Sequence, residues 1–286
     1  MIPAIWTGIY ATYPLPETLR DLHQEGWTAF EISTEHLVAL KRDPARDRQI
    51  VRTMRVVADL RLAMPQAHAL LGADVAQPEA RKRRTDIRRL AAHLRLAARL
   101  GCRTVVMHPG GRNGFTTRAE QARQRIRNVD AFRELGDLAG QLGLKIALEN
   151  LMRFGSATPA DMLDLLAAIG HPALGLCLDT SHANAVRLDV ADMVREFAPF
   201  LLATHISDND GSGDQHRVPG SGRIDWVAVM AAFRDSGYTG LFNLEIPGER
   251  HPLLQIQRLK LRHARAVADC LIGLAGPIVN EKKPKR

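Results

Sequence analysis

The chain has 286 residues, 45% of them hydrophobic, which is enough for a large core in one α/β domain or two smaller ones. Its three cysteines, Cys102, Cys177 and Cys270, are an odd number without CxxC spacing, which excludes a disulfide framework and makes the cytoplasm the expected compartment. The net charge of +8 and pI near 9.9 suit a phosphate-bearing partner, but the basic runs at 81–84 and 88–89 fall on predicted outer helix faces, where solvated charge is sufficient explanation.

The N-terminus lacks the basic and apolar regions of a signal peptide, and no apolar run approaches the roughly 20 residues of a membrane span, so no membrane partner is expected. Strand-like runs follow at 4–8, 29–33, 62–67, 104–107, 145–148, 174–178, 200–203 and 241–244. Helical patterns lie between them at 16–25, 48–60, 83–100, 118–142, 159–169, 190–197, 226–236 and 254–274. Gly26 is placed to stop the first helix, while Thr158 and Asp225 are placed as N-caps. Eight strands, each followed by a helix and uninterrupted by linkers, predict a single-domain (β/α)8 TIM barrel over residues 1–276. Residues 277–286 read as a basic, disordered tail. An open doubly wound sheet is the competing architecture, but residues 8–11 are not its glycine-rich first turn. Long outer helices such as 83–100 are compatible with a homo-oligomer contact.

Active sites of such barrels collect at the carboxyl ends of the strands. Those ends carry Glu31, His68, His108, Glu149, Asp179, His182, His205, Asp214, His216 and Glu245. An isolated histidine there is commonly a hydrogen-bonded structural residue, whereas this concentration of imidazole and carboxylate over so many strand ends points to divalent metal binding. Asp179 and His182 share a face if the chain turns helically. Asp214 and His216 point to one side if the loop after His205 is extended. The Pro109-Gly110-Gly111 turn leaves His108 at the rim. Pro219-Gly220-Ser221-Gly222 either offers backbone amides to a phosphate near a helix N-terminus or simply closes the long loop onto the helix capped by Asp225.

The chain resembles the xylose-isomerase-like TIM-barrel superfamily. The residues that carry the resemblance are Ala147-Leu148-Glu149-Asn150, Leu178-Asp179-Thr180-Ser181-His182, His205-Ile206-Ser207-Asp208-Asn209-Asp210-Gly211, residues 219–226 and Leu244-Glu245. These are similar to the motifs of the sugar phosphate isomerase/epimerase group, which is related to endonuclease IV. The resemblance implies one divalent ion held by Glu149, Asp179, His205 and Glu245, with the two glutamates as the acid/base pair. It also implies substrate contacts from His182, with His68 and His108 as further candidates. The expected reaction is metal-assisted proton transfer beside the carbonyl of a sugar or sugar phosphate, in carbohydrate metabolism. An oxygen-rich ligand set suits Mn²⁺, Mg²⁺ or Co²⁺, whereas the added histidines favour Zn²⁺.

Endonuclease IV is resembled in a wider set of positions, which adds His68, His108, His182, Asp214 and His216 as ligands for up to three zinc ions. That alternative implies phosphodiester cleavage at abasic sites in nucleic acid. A third reading is a metal-binding homologue without catalysis.

Overall fold

The structure is a computed structural model that describes residues 1–111, 117–153, 155–249 and 253–276. Its strands are β1 (Ile2–Trp6), β2 (Ala29–Ile32), β3 (Ala63–His68), β4 (Thr104–Met107), β5 (Lys145–Glu149), β6 (Leu174–Asp179), β7 (Leu201–His205) and β8 (Leu241–Leu244). Neighbouring strands pair in parallel in the order β7-β6-β5-β4-β3-β2-β1-β8. The β7–β8 seam closes through a parallel bridge between Ile206 and Leu244, with Ile206 N donating to Asn243 O at 2.8 Å and Glu245 N to Ile206 O at 3.1 Å. The result is the expected (β/α)8 barrel. The expected tail at 277–286 lies outside the described residues, as does His251.

The helices are α1 (Leu15–Gln24), α2 (Thr34–Arg42), α3 (Arg46–Asp59), α4 (Ala80–Arg99), α5 (Arg118–Gln141), α6 (Pro159–Ile169), α7 (Thr180–Ala185), α8 (Val190–Phe197), α9 (Trp226–Ser236) and α10 (Leu254–Leu274). Local chemistry sets several boundaries. Thr158 and Asp161 form a reciprocal capping box at the start of α6, and Gly170 ends that helix at φ 61°, a left-handed conformation that glycine adopts freely. Asp225 accepts from Ala228 N at 3.1 Å, as its placement before α9 predicted.

Two strand boundaries and two helices differ most from the sequence reading. The first strand starts at Ile2 and ends at Trp6, where residues 7–10 turn into a 3₁₀ segment. Strand β7 starts after Phe200, since Pro199 lies in another 3₁₀ turn that leaves Phe200 exposed. Helices α2 and α7 were not anticipated; they are short, and their start signals, Ser33 and Asp179, are themselves strand-end residues.

Successive strand residues face opposite sides. Ile146 and Leu148 of β5 belong to the large cluster packed under the helices, whereas Ala147 joins Val106, Cys177 and Ala203 in a separate cluster inside the barrel. Ala4, Ala29 and Leu241 form a third cluster. Two residues beyond Ala29, Val106, Ala147, Cys177 and Ala203, on the same faces, stand Glu31, His108, Glu149, Asp179 and His205, and Glu245 follows the end of β8.

Candidate metal centre

The strand ends bring all nine predicted ligand positions together. Glu149, Asp179, His205 and Glu245 each offer an atom to one group whose members lie within 4.8 Å of one another. His205 Nδ1 stands 3.2 Å from both Glu149 Oε1 and Glu245 Oε2. Neither approach has hydrogen-bond geometry, so this buried nitrogen has no hydrogen-bond partner, and the same holds for Asp179 Oδ2. Buried polar atoms are normally satisfied. Two orphaned ligand atoms converging with two glutamates match the needs of a divalent cation, and the donor set passes that test of fit.

A further group, His68, His205 and Glu245, overlaps the four, and two others flank them. His68, His108 and Glu149 form one, and Asp179, His182 and His216 form the other. Glu149 Oε2 lies 3.2 Å from His68 Nε2 and 3.0 Å from His108 Nε2, while its Oε1 faces His205 and His182. One carboxylate therefore touches two clusters. Asp214 joins the opposite side, 3.3 Å from His182 Nε2 and 2.9 Å from His216 Nε2.

Second contacts fix the ring orientations. His68 Nδ1 donates to Ala69 O at 2.8 Å, His182 Nδ1 to Asn150 O at 2.9 Å, His216 Nδ1 to Glu245 O at 2.9 Å and His205 Nε2 to Glu31 Oε2 at 2.9 Å. Each ring thus anchors one nitrogen and turns the other toward the acidic centre, as metal-binding histidines do.

The electrostatics are those of a dense, dry cluster. Burial works to raise the Glu149 carboxyl, but His205 and His108 more than reverse this and hold it well below the usual range. Burial also pushes Glu245 up, and there the opposing pull of His205 and His216 does not cancel it. Burial disfavours charge on the histidines, yet the carboxylates prevail at most of them. Glu149 raises His68 to about 9, Asp179 and Asp214 raise His182 to about 10, and Asp214 raises His216 to about 10. His205 is held well above its ordinary value, against burial, by Glu245, Glu31 and Glu149. His108 alone among these is lowered by burial, despite Glu149. A divalent cation bound by these carboxylates would compete with protons for the imidazole nitrogens.

The loop after β7 is not extended at its ligand pair, because His216 adopts φ 46°. Asp214 and His216 meet through this turn rather than through strand alternation. The loop is anchored by the buried Asp208. Its Oδ2 accepts from Gly220 N at 2.9 Å, Gly222 N at 3.1 Å and Trp226 Nε1 at 2.9 Å, and its Oδ1 from Asn209 N at 2.9 Å and Ile224 N at 3.3 Å. The amides of Gly220 and Gly222 are therefore spent on Asp208, which corrects the phosphate-cradle reading in favour of loop closure. A Cβ at Gly222 would stand 2.2 Å from Asp208 Oδ1, so glycine is required there.

Sequence reasoning gave no specific role to three residues. Glu31 sits behind His205, with Gln66 Nε2 as its other donor. Asn150 accepts from Asp179 N at 2.8 Å and donates to Asp179 O at 3.0 Å, locking β5 to β6. Asp208 holds the loop. Glu31 was visible as a strand-end acid, and Asn150 adjoins Glu149; the role of Asp208 had no local signal, since its donors lie up to 18 residues away.

A family model described as xylose isomerase-like TIM barrel matches residues 19–267. The chain belongs to this family. Among the relatives of this xylose isomerase-like barrel is the uncharacterised protein y4fM of Sinorhizobium fredii, 26% identical over 248 residues, covering 77% of this chain and 78% of that protein. The D-psicose 3-epimerase of Agrobacterium fabrum is 28% identical over 134 residues, covering 46% of this chain and 45% of the epimerase. The match thus spans less than half the length of that curated enzyme. A D-tagatose 3-epimerase-like protein of known structure superposes with a TM-score of 0.81 at 20% identity, covering 96% of this chain and 98% of that one, which establishes the shared fold. Among the described residues, no helix is long and apolar enough to cross a membrane.

Proposed function

We propose that the protein is a divalent-metal-dependent sugar or sugar phosphate isomerase or epimerase that moves a proton beside a carbonyl. The observation that carries this reading is the convergence of Glu149, Asp179, His205 and Glu245 within 4.8 Å at the carboxyl end of the barrel. The relatives named as 3-epimerases support it.

The two glutamates each lie 3.2 Å from His205 Nδ1 and have unlike environments. Glu149 is held ionised and serves as the base that takes the proton from carbon. Burial raises the Glu245 carboxyl, and this residue serves as the acid that delivers a proton to the substrate. A divalent cation, when bound by the four residues, supplies electrophilic stabilisation to the negative charge that develops on the substrate oxygen. His182 and His108 border the same space and would orient substrate hydroxyls, with His68 behind them. Glu31 keeps the His205 ring in register through the 2.9 Å hydrogen bond.

The flanking histidine clusters favour a second reading, in which the site holds up to three zinc ions and cleaves phosphodiesters at abasic sites. Glu149 would then have both oxygens committed as a bridge and could not shuttle protons.

Elemental analysis of the purified protein, combined with assays of ketose epimerisation and abasic-duplex cleavage, tests the choice. One ion per chain with epimerisation that Glu245→Gln lowers at least about a hundredfold supports the first reading. Three zinc ions with duplex cleavage support the second, and full activity after exhaustive chelation would overturn both.

A further inference from the structure

A cavity of about 600 Å³ opens beside the candidate metal centre, lined by Gly72, Asp74, Lys82, His108, Gly111 and Arg153 among others. Its volume lies within the range of small-ligand sites. His108 forms the wall shared with the centre, since its Nε2 lies 3.0 Å from Glu149 Oε2. The same cavity is lined by Arg153, just past the end of β5. This half-buried guanidinium donates to the backbone carbonyls of Gly111, at 2.7 Å, and Pro109. Among the described residues no carboxylate lies within ion-pair distance of it; Asp74 and Glu149 act on its charge only from longer range. A guanidinium carries five N–H donors, and two are used here.

The acids that line the cavity hold hydrogen bonds of their own. Asp74 Oδ1 accepts from Ala76 N and Gly111 N, both at 2.9 Å. Asp86 accepts from Asp74 N, Gln77 Nε2 and Arg89 Nη1. Lys82 is paired with Glu79 at 2.6 Å on the exposed rim. Arg153 is therefore a half-buried cation at this end with donors to spare and, among the described residues, no carboxylate in hydrogen-bond contact, a setting in which a charged acceptor is worth most.

We propose that Arg153 and this cavity form a subsite for a terminal anionic group, phosphate or carboxylate, on a substrate whose other end reaches the metal centre. The subsite deepens the isomerase reading by assigning a substrate class, acidic or phosphorylated sugars. It rests on that reading only for the identity of the reacting end.

Binding of unreactive probes separates the two. The metal-loaded wild type and the R153M and R153Q variants are titrated calorimetrically with a pentitol, its 5-phosphate and the corresponding pentonate. R153Q keeps a donor for one of the loop carbonyls and serves if R153M does not fold. The wild type is expected to bind one or both anionic probes at least about tenfold more tightly than the neutral polyol, and both variants are expected to lose that preference to within about threefold. Preference for the phosphate alone assigns a phosphosubstrate, and preference for the pentonate alone assigns a sugar acid. Equal binding of all three probes by the wild type would overturn the proposal, as would a preference that survives in both variants and so resides in the metal centre. A lost preference in a protein that turns over no ketose would uphold the subsite while removing the isomerase reading.

Discussion

Replacing Asp208 by Asn isolates the device that places Asp214 and His216. Asp208 is fully buried and accepts five hydrogen bonds, three on Oδ2 and two on Oδ1. An asparagine of the same shape can aim its oxygen at the Gly220, Gly222 and Trp226 donors, but its NH₂ then opposes the N–H groups of Asn209 and Ile224. Two charge-assisted bonds disappear, each worth about 1.5–3 kcal/mol, and because one is the long contact to Ile224 the expected loss is about 3 kcal/mol, with about 6 as the ceiling. At roughly 2–4 °C per kcal/mol for a chain of this size class, Tm falls by about 6–12 °C. The amides of Gly220, Gly222 and Ile224 are expected to exchange with solvent roughly a hundredfold faster, read by hydrogen–deuterium exchange. Thermal unfolding within about 2 °C of wild type, with unchanged protection over residues 208–226, would refute the claim that this carboxylate holds the loop.

Glu31→Gln is expected to weaken binding of Mn²⁺ or Zn²⁺ by about 10–100-fold in a chelator competition, because His205 loses its charged orienting partner; an unchanged affinity would deny that role. Metal uptake is expected to release protons and to weaken as pH falls below the raised range of His68, His182 and His216; calorimetry in two buffers of different ionisation enthalpy reads the protons, and zero release would contradict the charge balance drawn above. Burial pushes His36 and His93 down to about 4, so between pH 6.5 and 4 the unfolded chain binds more protons and stability falls as pH drops, by roughly 3 kcal/mol per histidine. His68, His182 and His216 are raised, so the folded chain binds more protons above pH 6.5 and stability is lost as pH rises toward 9–10. Urea melts of the metal-free protein are therefore expected to show maximal stability near pH 6.5, and a steady rise from pH 6.5 to 9 would count against these assignments.

The barrel was legible because its strands are short apolar runs and its helices carry long 3.6-residue periodicity; Thr158, Asp225 and Gly26 marked real boundaries. The convergence of the strand-end candidates was legible for a related reason. Strand alternation puts Glu149, Asp179 and His205 on the inner face at the end of their strands, so position along each strand predicted convergence. Contacts set by loops and by non-local donors were hidden. The turn at His216, with φ 46°, replaced the extended geometry that the spacing of Asp214 and His216 suggested. Asp208 resembled one more loop acid, although its charge is consumed by backbone amides from residues 220–224. Arg153 could not be linked to His108 without the loop geometry that brings residues 109–111 beneath its guanidinium.

The most direct measurement of the central claim is deuterium wash-in. A ketose, and the same ketose bearing a terminal phosphate, are incubated with metal-loaded protein in D₂O, and the carbon beside the carbonyl is followed by NMR. Proton transfer between Glu149 and Glu245 predicts deuterium at that carbon together with the epimer or isomer, and loss of both after chelation or in Glu245→Gln. No incorporation into either substrate, from a metal-loaded protein that cleaves an abasic duplex, would contradict it.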